Sequence, residues 1–169
     1  MFLRTKTLPE GALLAGYPGW NDQHARQVIS GHAQQEGGLL PALHALQSTF
    51  GCVPQPAIAL LAEAFNLSRA DVHGTLTFYH DFRRQPPGRH VLRLCRGESC
   101  QALGGNQLAE TLRARLDVDW GGTTADTRVT LEPTFCLGLC AVSPAALLDG
   151  VAMGRMTAAG LVAALDTLP

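Results

Sequence analysis

The stretch HVLRLCRGESC, residues 90–100, runs from a strand pattern straight into a cysteine loop. Val91, Leu92 and Leu94 are strand formers in partial alternation, so the segment predicts a β-strand that delivers Cys95 at its end. Downstream, Leu108, Leu112 and Leu116 stand four apart and predict a helix over 100–116 with one apolar face. Val129 and Leu131 mark a second strand ahead of Cys136. Residues 145–148 and 151–153 flank Asp149-Gly150, a strong hairpin signal because a type I′ turn needs positive φ at both central positions. Thr157 is placed to cap a last helix ending near Leu165. Strand, helix, strand, hairpin, helix is an order compatible with a mixed sheet covered by helices.

Upstream, Arg83-Arg84-Gln85-Pro86-Pro87-Gly88-Arg89 has two prolines and a glycine that neither a helix nor a central strand tolerates, and reads as a linker. Residues 20–82 carry a helical pattern instead. Asn21 or Asp22 caps a first helix through Gln35, which Gly37 and Gly38 stop. Leu39, Leu43, Leu46 and Phe50 share one face of a second helix with Pro41 in its first turn, and Gly51-Cys52-Val53-Pro54 ends it. A third helix fits 56–65 with Ile58, Leu61 and Phe65 inward, and a fourth begins at Ser68 with Asp71 completing a capping box. A bundle this small buries little apolar surface and is expected to lean on the second domain or on another subunit. Pro9, Gly11, Gly16, Pro18 and Gly19 leave residues 1–19 without periodicity, an irregular arm ordering against a partner. The expected organisation is therefore α+β: arm 1–19, small helical bundle 20–84, and a thioredoxin-like domain with a mixed sheet over 85–169.

Composition narrows the function classes. Of 169 residues 46% are apolar and 16% charged, and 13 basic side chains against 14 acidic ones leave a net charge of -1. This lacks the footprint of a nucleic-acid binder or a polybasic membrane anchor. No run approaches the roughly 18–20 apolar residues of a membrane helix, and MFLRTKTLPEGALLAGYPG lacks a signal-peptide layout, so direct membrane insertion is not expected and the expected compartment is cytoplasmic.

Four of the five cysteines form two tight pairs, Cys95-x4-Cys100 and Cys136-x3-Cys140. An odd count without a secretion signal argues against a disulfide framework. Four thiolates in two loops can hold a tetrahedral zinc or an iron–sulfur cluster. Structural zinc favours C-x2-C knuckles, whereas intervals of four and three residues let each loop grip one iron and aim backbone N–H groups at sulfur. The bacterial C-x2-C-x2-C and plant-type C-x4-C-x2-C runs are absent, and no histidine near either pair serves a Rieske site. A 2Fe-2S centre on Cys95, Cys100, Cys136 and Cys140 remains. Cys100 falls at the expected helix start, where free N–H groups favour a thiolate. Gly97 and Gly138 suit positive φ or close backbone approach, or are ordinary turn glycines; Arg93 and Arg96 raise the potential of such a centre, or are solvated surface charges.

These residues carry a family resemblance. CRGESC at 95–100 with EPTFCLGLCAVSP at 132–144 resembles the thioredoxin-like 2Fe-2S subunits of NADH-linked complexes, C-L-G-x-C-x3-P being the most specific part. That family includes the small peripheral subunit of respiratory complex I, the gamma subunit of NAD-dependent formate dehydrogenase and diaphorase subunits of NAD-reducing hydrogenases. The likeness extends through GCVPQPAIALLAEAFNLSRADVHGTLTFYHDF to cover residues 20–169. Cys100-Gln101-Ala102 and the E-P-x-x-C-L-G-L-C form from Glu132, with the compact length, look closer to the formate dehydrogenase gamma subunit. The resemblance implies an electron-transfer subunit with no catalytic residues of its own. Its partner is a flavoprotein bearing FMN, a 4Fe-4S cluster and the NAD site, while a molybdenum-containing subunit oxidises formate. In the family the 2Fe-2S cluster lies beside the flavin, off the main electron path.

Cys52 has no cysteine or histidine partner nearby in sequence and reads as a small buried thiol. The six histidines are scattered without ligand spacing, and Thr77-Phe78-Tyr79 is either a docking patch or core. Gly104-Gly105 and Gly121-Gly122 build no G-x-G-x-x-G, so FMN and NAD are expected only on the partner. A thiol–disulfide oxidoreductase would want C-x-x-C, which is absent. A zinc-stabilised interaction module would use the same four thiolates without redox chemistry.

Overall fold

The computed structural model describes residues 17–168, so the expected arm over 1–19 lies almost wholly outside the described residues. Two compact units meet in sequence at Pro87 and Gly88. Among the described residues no helix is long and apolar enough to cross a membrane.

Among the described residues the first unit holds four helices, α1 (Asp22–Ser30), α2 (Leu39–Phe50), α3 (Ala57–Phe65) and α4 (Arg69–Phe78). Asn21 caps α1 by accepting the His24 N–H, and Ser68 and Asp71 form a reciprocal capping box on α4. Helix α1 stops at Ser30, five residues before Gln35. Past Gly31, a poor helix residue, the chain tightens into turns in which His32 and Ala33 donate to the carbonyls three residues back. Ile29, Leu43, Leu46, Phe50, Leu61, Val72 and Leu76 fill the core, each side chain contributing about 1.5–3 kcal/mol by burial. Trp20 packs its ring 4.9 Å from that of Phe50.

Among the described residues the second unit holds a four-stranded mixed sheet in the order β2-β1-β3-β4, built from β1 (His90–Cys95), β2 (Val129–Thr134), β3 (Ala146–Leu148) and β4 (Val151–Met153). Strand β1 runs parallel to β2, with Cys95 opposite Thr134, and antiparallel to β3. Asp149 and Gly150 both adopt positive φ, 50° and 82°, and close the two-residue hairpin between β3 and β4. The Asp149 carboxylate accepts from the Val91 N–H at 2.8 Å and lies 2.7 Å from His90 Nδ1, tying that hairpin to the start of β1. Helices α5 (Asn106–Leu116) and α6 (Ala158–Asp166) cover the sheet, and Leu92, Leu94, Leu108, Leu112, Leu131 and Leu161 share one core. Thr157 caps α6 by accepting the Gly160 N–H.

The expected continuous helix over 100–116 is broken. One turn, Glu98–Cys100, opens into a wide turn over 101–105 in which Leu103 (φ -99°, ψ 27°) and Gly104 (φ 91°, ψ 10°) leave helical geometry, and α5 begins only at Asn106. The leucine repeat starts at Leu108, so it carries no information about the residues before it. A Cβ on Gly105 would lie 2.6 Å from the Cys100 carbonyl oxygen, so only glycine lets the chain fold back this tightly against Cys100.

Candidate metal centre

Parallel pairing of β1 with β2 brings both cysteine loops to one end of the sheet, because the strands end together at Cys95 and Thr134. The Arg96 N–H then donates to the Thr134 carbonyl at 2.7 Å, and the Cys95 N–H to Ala145 at 3.0 Å. Cys95 and Cys100 are buried with Ala145 beneath the half-buried side chains of Leu137 and Leu139, while Cys136 and Cys140 are exposed. All five cysteines are free thiols.

The sulfurs form two pairs. Cys95 and Cys100 share one buried cluster, and Cys136 Sγ lies 3.7 Å from Cys140 Sγ. That separation matches the ~3.8 Å edge subtended by two thiolates on one tetrahedral ion at a metal–sulfur distance of about 2.3 Å. Among the described residues no three His, Cys, Asp or Glu side chains gather as ligands of a single metal ion.

Backbone geometry aims donors at the sulfur. Burial raises the Cys95 thiol, but the Gly97 N–H, the Cys100 thiol and the N–H groups of Leu137 and Cys136 all stabilise its charge and bring it below the ordinary thiol value. Cys140 is held above that value, first by its hydrogen bond and charge interaction with Cys136, then by desolvation and by Cys100 and Cys95. Cys140 thus feels the charge of the other three thiols at this end of the sheet, and a cation bound there would relieve it.

The two loop glycines divide the reasons expected for them. Gly97 has ordinary extended geometry (φ -69°), but a Cβ there would lie 3.3 Å from Cys136 N, so its role is close approach between the loops. Gly138 has φ 75° and open space around it, so its role is conformational. Cys136 itself sits at φ 74°, uncommon for a residue with a side chain and held there by its surroundings. Four converging thiols, two of them buried, with N–H groups aimed at sulfur, make a donor set that fits an anionic iron–sulfur core.

The family model of thioredoxin-like [2Fe-2S] ferredoxins matches residues 25–169. The chain belongs to this family. It is 35% identical over 127 residues to a subunit of the NADH-quinone oxidoreductase of Pseudomonas aeruginosa, covering 75% of this chain and 76% of that one. With NADP-reducing hydrogenase subunit HndA of Solidesulfovibrio fructosivorans it shares 30% identity over 131 residues, 78% of this chain and 77% of the relative. The crystal structure of an air-oxidised NAD+-reducing [NiFe]-hydrogenase superposes with a TM-score of 0.63 at 34% identity over 76% of this chain; that match spans 22% of the hydrogenase chain. The group characteristic of this ferredoxin family is a 2Fe-2S cluster, and the thiol arrangement described above accommodates one.

Cys52 is buried in the first unit, its pKa pushed up to about 11 by burial with Arg83 pulling the other way. Arg93 pairs with Glu132 at 2.9 Å across β1 and β2. Arg96 donates to Asn106 at 3.0 Å and lies 5.0 Å over the Trp120 ring. Phe78 and Tyr79 are exposed, 72% and 43%, so of the two expectations for that motif core packing fails for these rings. Three features escape a reading of the sequence: the positive φ of Cys136, the exposed Phe135 beside it (77%), and the hydroxyls of Ser99 and Ser143 between the loops. None has a periodic or spacing signal.

Proposed function

We propose that the chain is a one-electron carrier holding one 2Fe-2S cluster on Cys95, Cys100, Cys136 and Cys140, and that it exchanges electrons with the FMN of a flavin- and NAD-binding partner in an NAD-dependent formate dehydrogenase. The convergence of two thiol pairs at the sheet end, one buried and one exposed, is the observation that carries this reading. When bound, the cluster supplies reversible one-electron chemistry. The protein's own contribution is to deliver the thiolates, aim N–H groups at Cys95, shield the inner pair under Leu137 and Leu139, and leave the outer pair facing solvent. Free thiols throughout suit a reducing compartment, and we place the protein in the cytoplasm. FMN, the 4Fe-4S cluster and NAD belong to the partner, and a molybdenum-containing subunit completes the complex.

The formate dehydrogenase assignment rests on Cys100-Gln101-Ala102 and on the E-P-x-x-C-L-G-L-C form around Glu132. A second reading, the corresponding subunit of an NADH:quinone oxidoreductase or an NAD(P)-linked hydrogenase, is favoured by the names of the relatives. Purification from the native host with mass identification of the attached subunits separates them. A molybdenum-containing partner supports the first, and quinone-reducing or nickel-containing partners replace it with the second. A colourless chain carrying one zinc would overturn both.

A further inference from the structure

Between the two cysteine loops lies a pair of hydroxyls. Ser143 is buried (9% exposed), and its Oγ lies 3.4 Å from the Sγ of Cys100, itself 2% exposed. The same Oγ lies 2.9 Å from the Cys140 carbonyl and 3.1 Å from the Ser99 Oγ; Ser99 Oγ reaches that carbonyl as well, at 3.3 Å. Two hydroxyl protons are therefore shared among a sulfur, a carbonyl and each other, and the occupancy of one contact sets the occupancy of the next.

We propose that Ser143 is a positioning residue for the metal centre: its hydroxyl donates to the Cys100 sulfur, with Ser99 freeing it to do so, and raises the reduction potential of the cluster bound there. This rests on the assignment of Cys100 as a ligand. With Cys100 protonated, its thiol donates to Ser143 Oγ at 3.4 Å, and the Ser143 proton is free for the Cys140 carbonyl. A metal-bound cysteine has no proton, so the sulfur can only accept. A hydrogen bond to an anionic acceptor is stronger than one to a neutral carbonyl, so the Ser143 proton turns to sulfur and Ser99 takes over the carbonyl. The reduced core carries one more negative charge than the oxidised one, so a donor to its ligand stabilises it more and the potential rises. Burial of both partners keeps water from replacing the bond.

The experiment uses the full chain with its cluster reconstituted, in wild type and in Ser143→Ala, Ser143→Thr, Ser99→Ala and the double Ser99→Ala/Ser143→Ala variant. Iron and sulfide content and the visible spectrum are measured first. A wild type without a 2Fe-2S core sinks the ligand assignment and this proposal with it. With the core present, redox titration should show Ser143→Ala lowered by about a threefold to tenfold change in the equilibrium constant, roughly 28–59 mV for one electron, and Ser143→Thr close to wild type. Ser99→Ala should shift the same way by less, because Ser143 then has the Cys140 carbonyl to satisfy. The double variant should match Ser143→Ala rather than the sum of the two singles. Pulsed magnetic resonance of the reduced protein in heavy water should show an exchangeable deuteron coupled to the core that Ser143→Ala removes. A matching core with unchanged potential in Ser143→Ala overturns the proposal. If Ser143→Ala does not hold a core, an unchanged potential in Ser99→Ala does the same.

Discussion

Replacing Gly97 by alanine tests whether the contact between the two cysteine loops holds the centre together. At φ -69° and ψ 158° alanine meets no backbone penalty, and its restriction of the unfolded chain alone would stabilise by ~0.4–1 kcal/mol. Against this stands the new methyl group, 3.3 Å from Cys136 N, 3.5 Å from its Cα and 3.6 Å from its Cβ. Those neighbours are mostly backbone, and Cys136 is already at φ 74°, so the second loop must move by a few tenths of an ångström as a unit. Overpacking of this kind costs about 1–3 kcal/mol, which leaves a net loss of up to ~2.6 kcal/mol in the second unit. For a domain of this size each kcal/mol lowers Tm by about 4–8 °C. The effect on the centre should exceed the effect on the fold, because the moved loop takes with it the Cys136 and Leu137 N–H groups that stabilise the Cys95 sulfur. The assay is the decay of visible absorption in chelator, beside melting of the iron-free chain. Gly138→Ala, strained at φ 75° but clear of neighbours, is the control: it should lower Tm comparably with a smaller effect on decay. A Gly97→Ala protein that retains iron and sulfide as long as wild type would refute the idea that this contact sets cluster retention.

Three further outcomes follow from the same geometry. Serine at Cys95 or Cys136 should abolish the visible absorption and lower the melting temperature of the second unit, since ligand binding and folding are linked; full iron content in both variants contradicts the ligand assignment. Cys52 has its pKa raised to about 11 in the folded protein, so its contribution to stability is intact below the unfolded thiol value and is lost as pH rises towards 11. Denaturant titrations of Cys52→Ala should accordingly be flatter than wild type above pH 9, and parallel curves would show that the thiol is not the cause. Phe135→Ser should leave iron content and melting unchanged while weakening association with the proposed flavin-binding partner, measured by co-purification, because the ring is exposed beside Cys136.

The parts legible in the sequence are those written in local repeats. Leucines at 39, 43 and 46 with Phe50 lie on the buried side of α2, Ser68 and Asp71 close their capping box, and Asp149-Gly150 makes its two-residue turn, because each depends only on neighbours within a few residues. Helix α5 is legible from Leu108 onward for the same reason. The break at Gly104 is not, since a glycine inside an otherwise helical stretch is tolerated at a modest cost and does not by itself mark an interruption. Cysteine spacing yields two pairs but not their mutual arrangement. That depends on the parallel register of His90 with Val129 through Cys95 with Thr134, a long-range pairing without local signal. Ser143 becomes a neighbour of Cys100 only through this pairing and the return into β3, which is why a serine three residues past Cys140 has no signal in the sequence.

The register also explains why strain is tolerated at Cys136. A side-chain-bearing residue in the left-handed region costs about 1–2 kcal/mol, and the chain around Cys136 is pinned on both sides: Thr134 by pairing with Cys95 and by the Arg96 N–H, and Cys140 by the hydroxyls of Ser99 and Ser143. Between those points, Cys136 has to turn its N–H towards Cys95 while its own sulfur faces Cys140 at 3.7 Å. The two requirements point in different directions from one α-carbon, and positive φ at this residue is how the loop meets both. A glycine at 136 would relax the backbone and lose the thiol. The strained conformation is thus the signature of a residue used twice, as donor to one sulfur and as a sulfur itself.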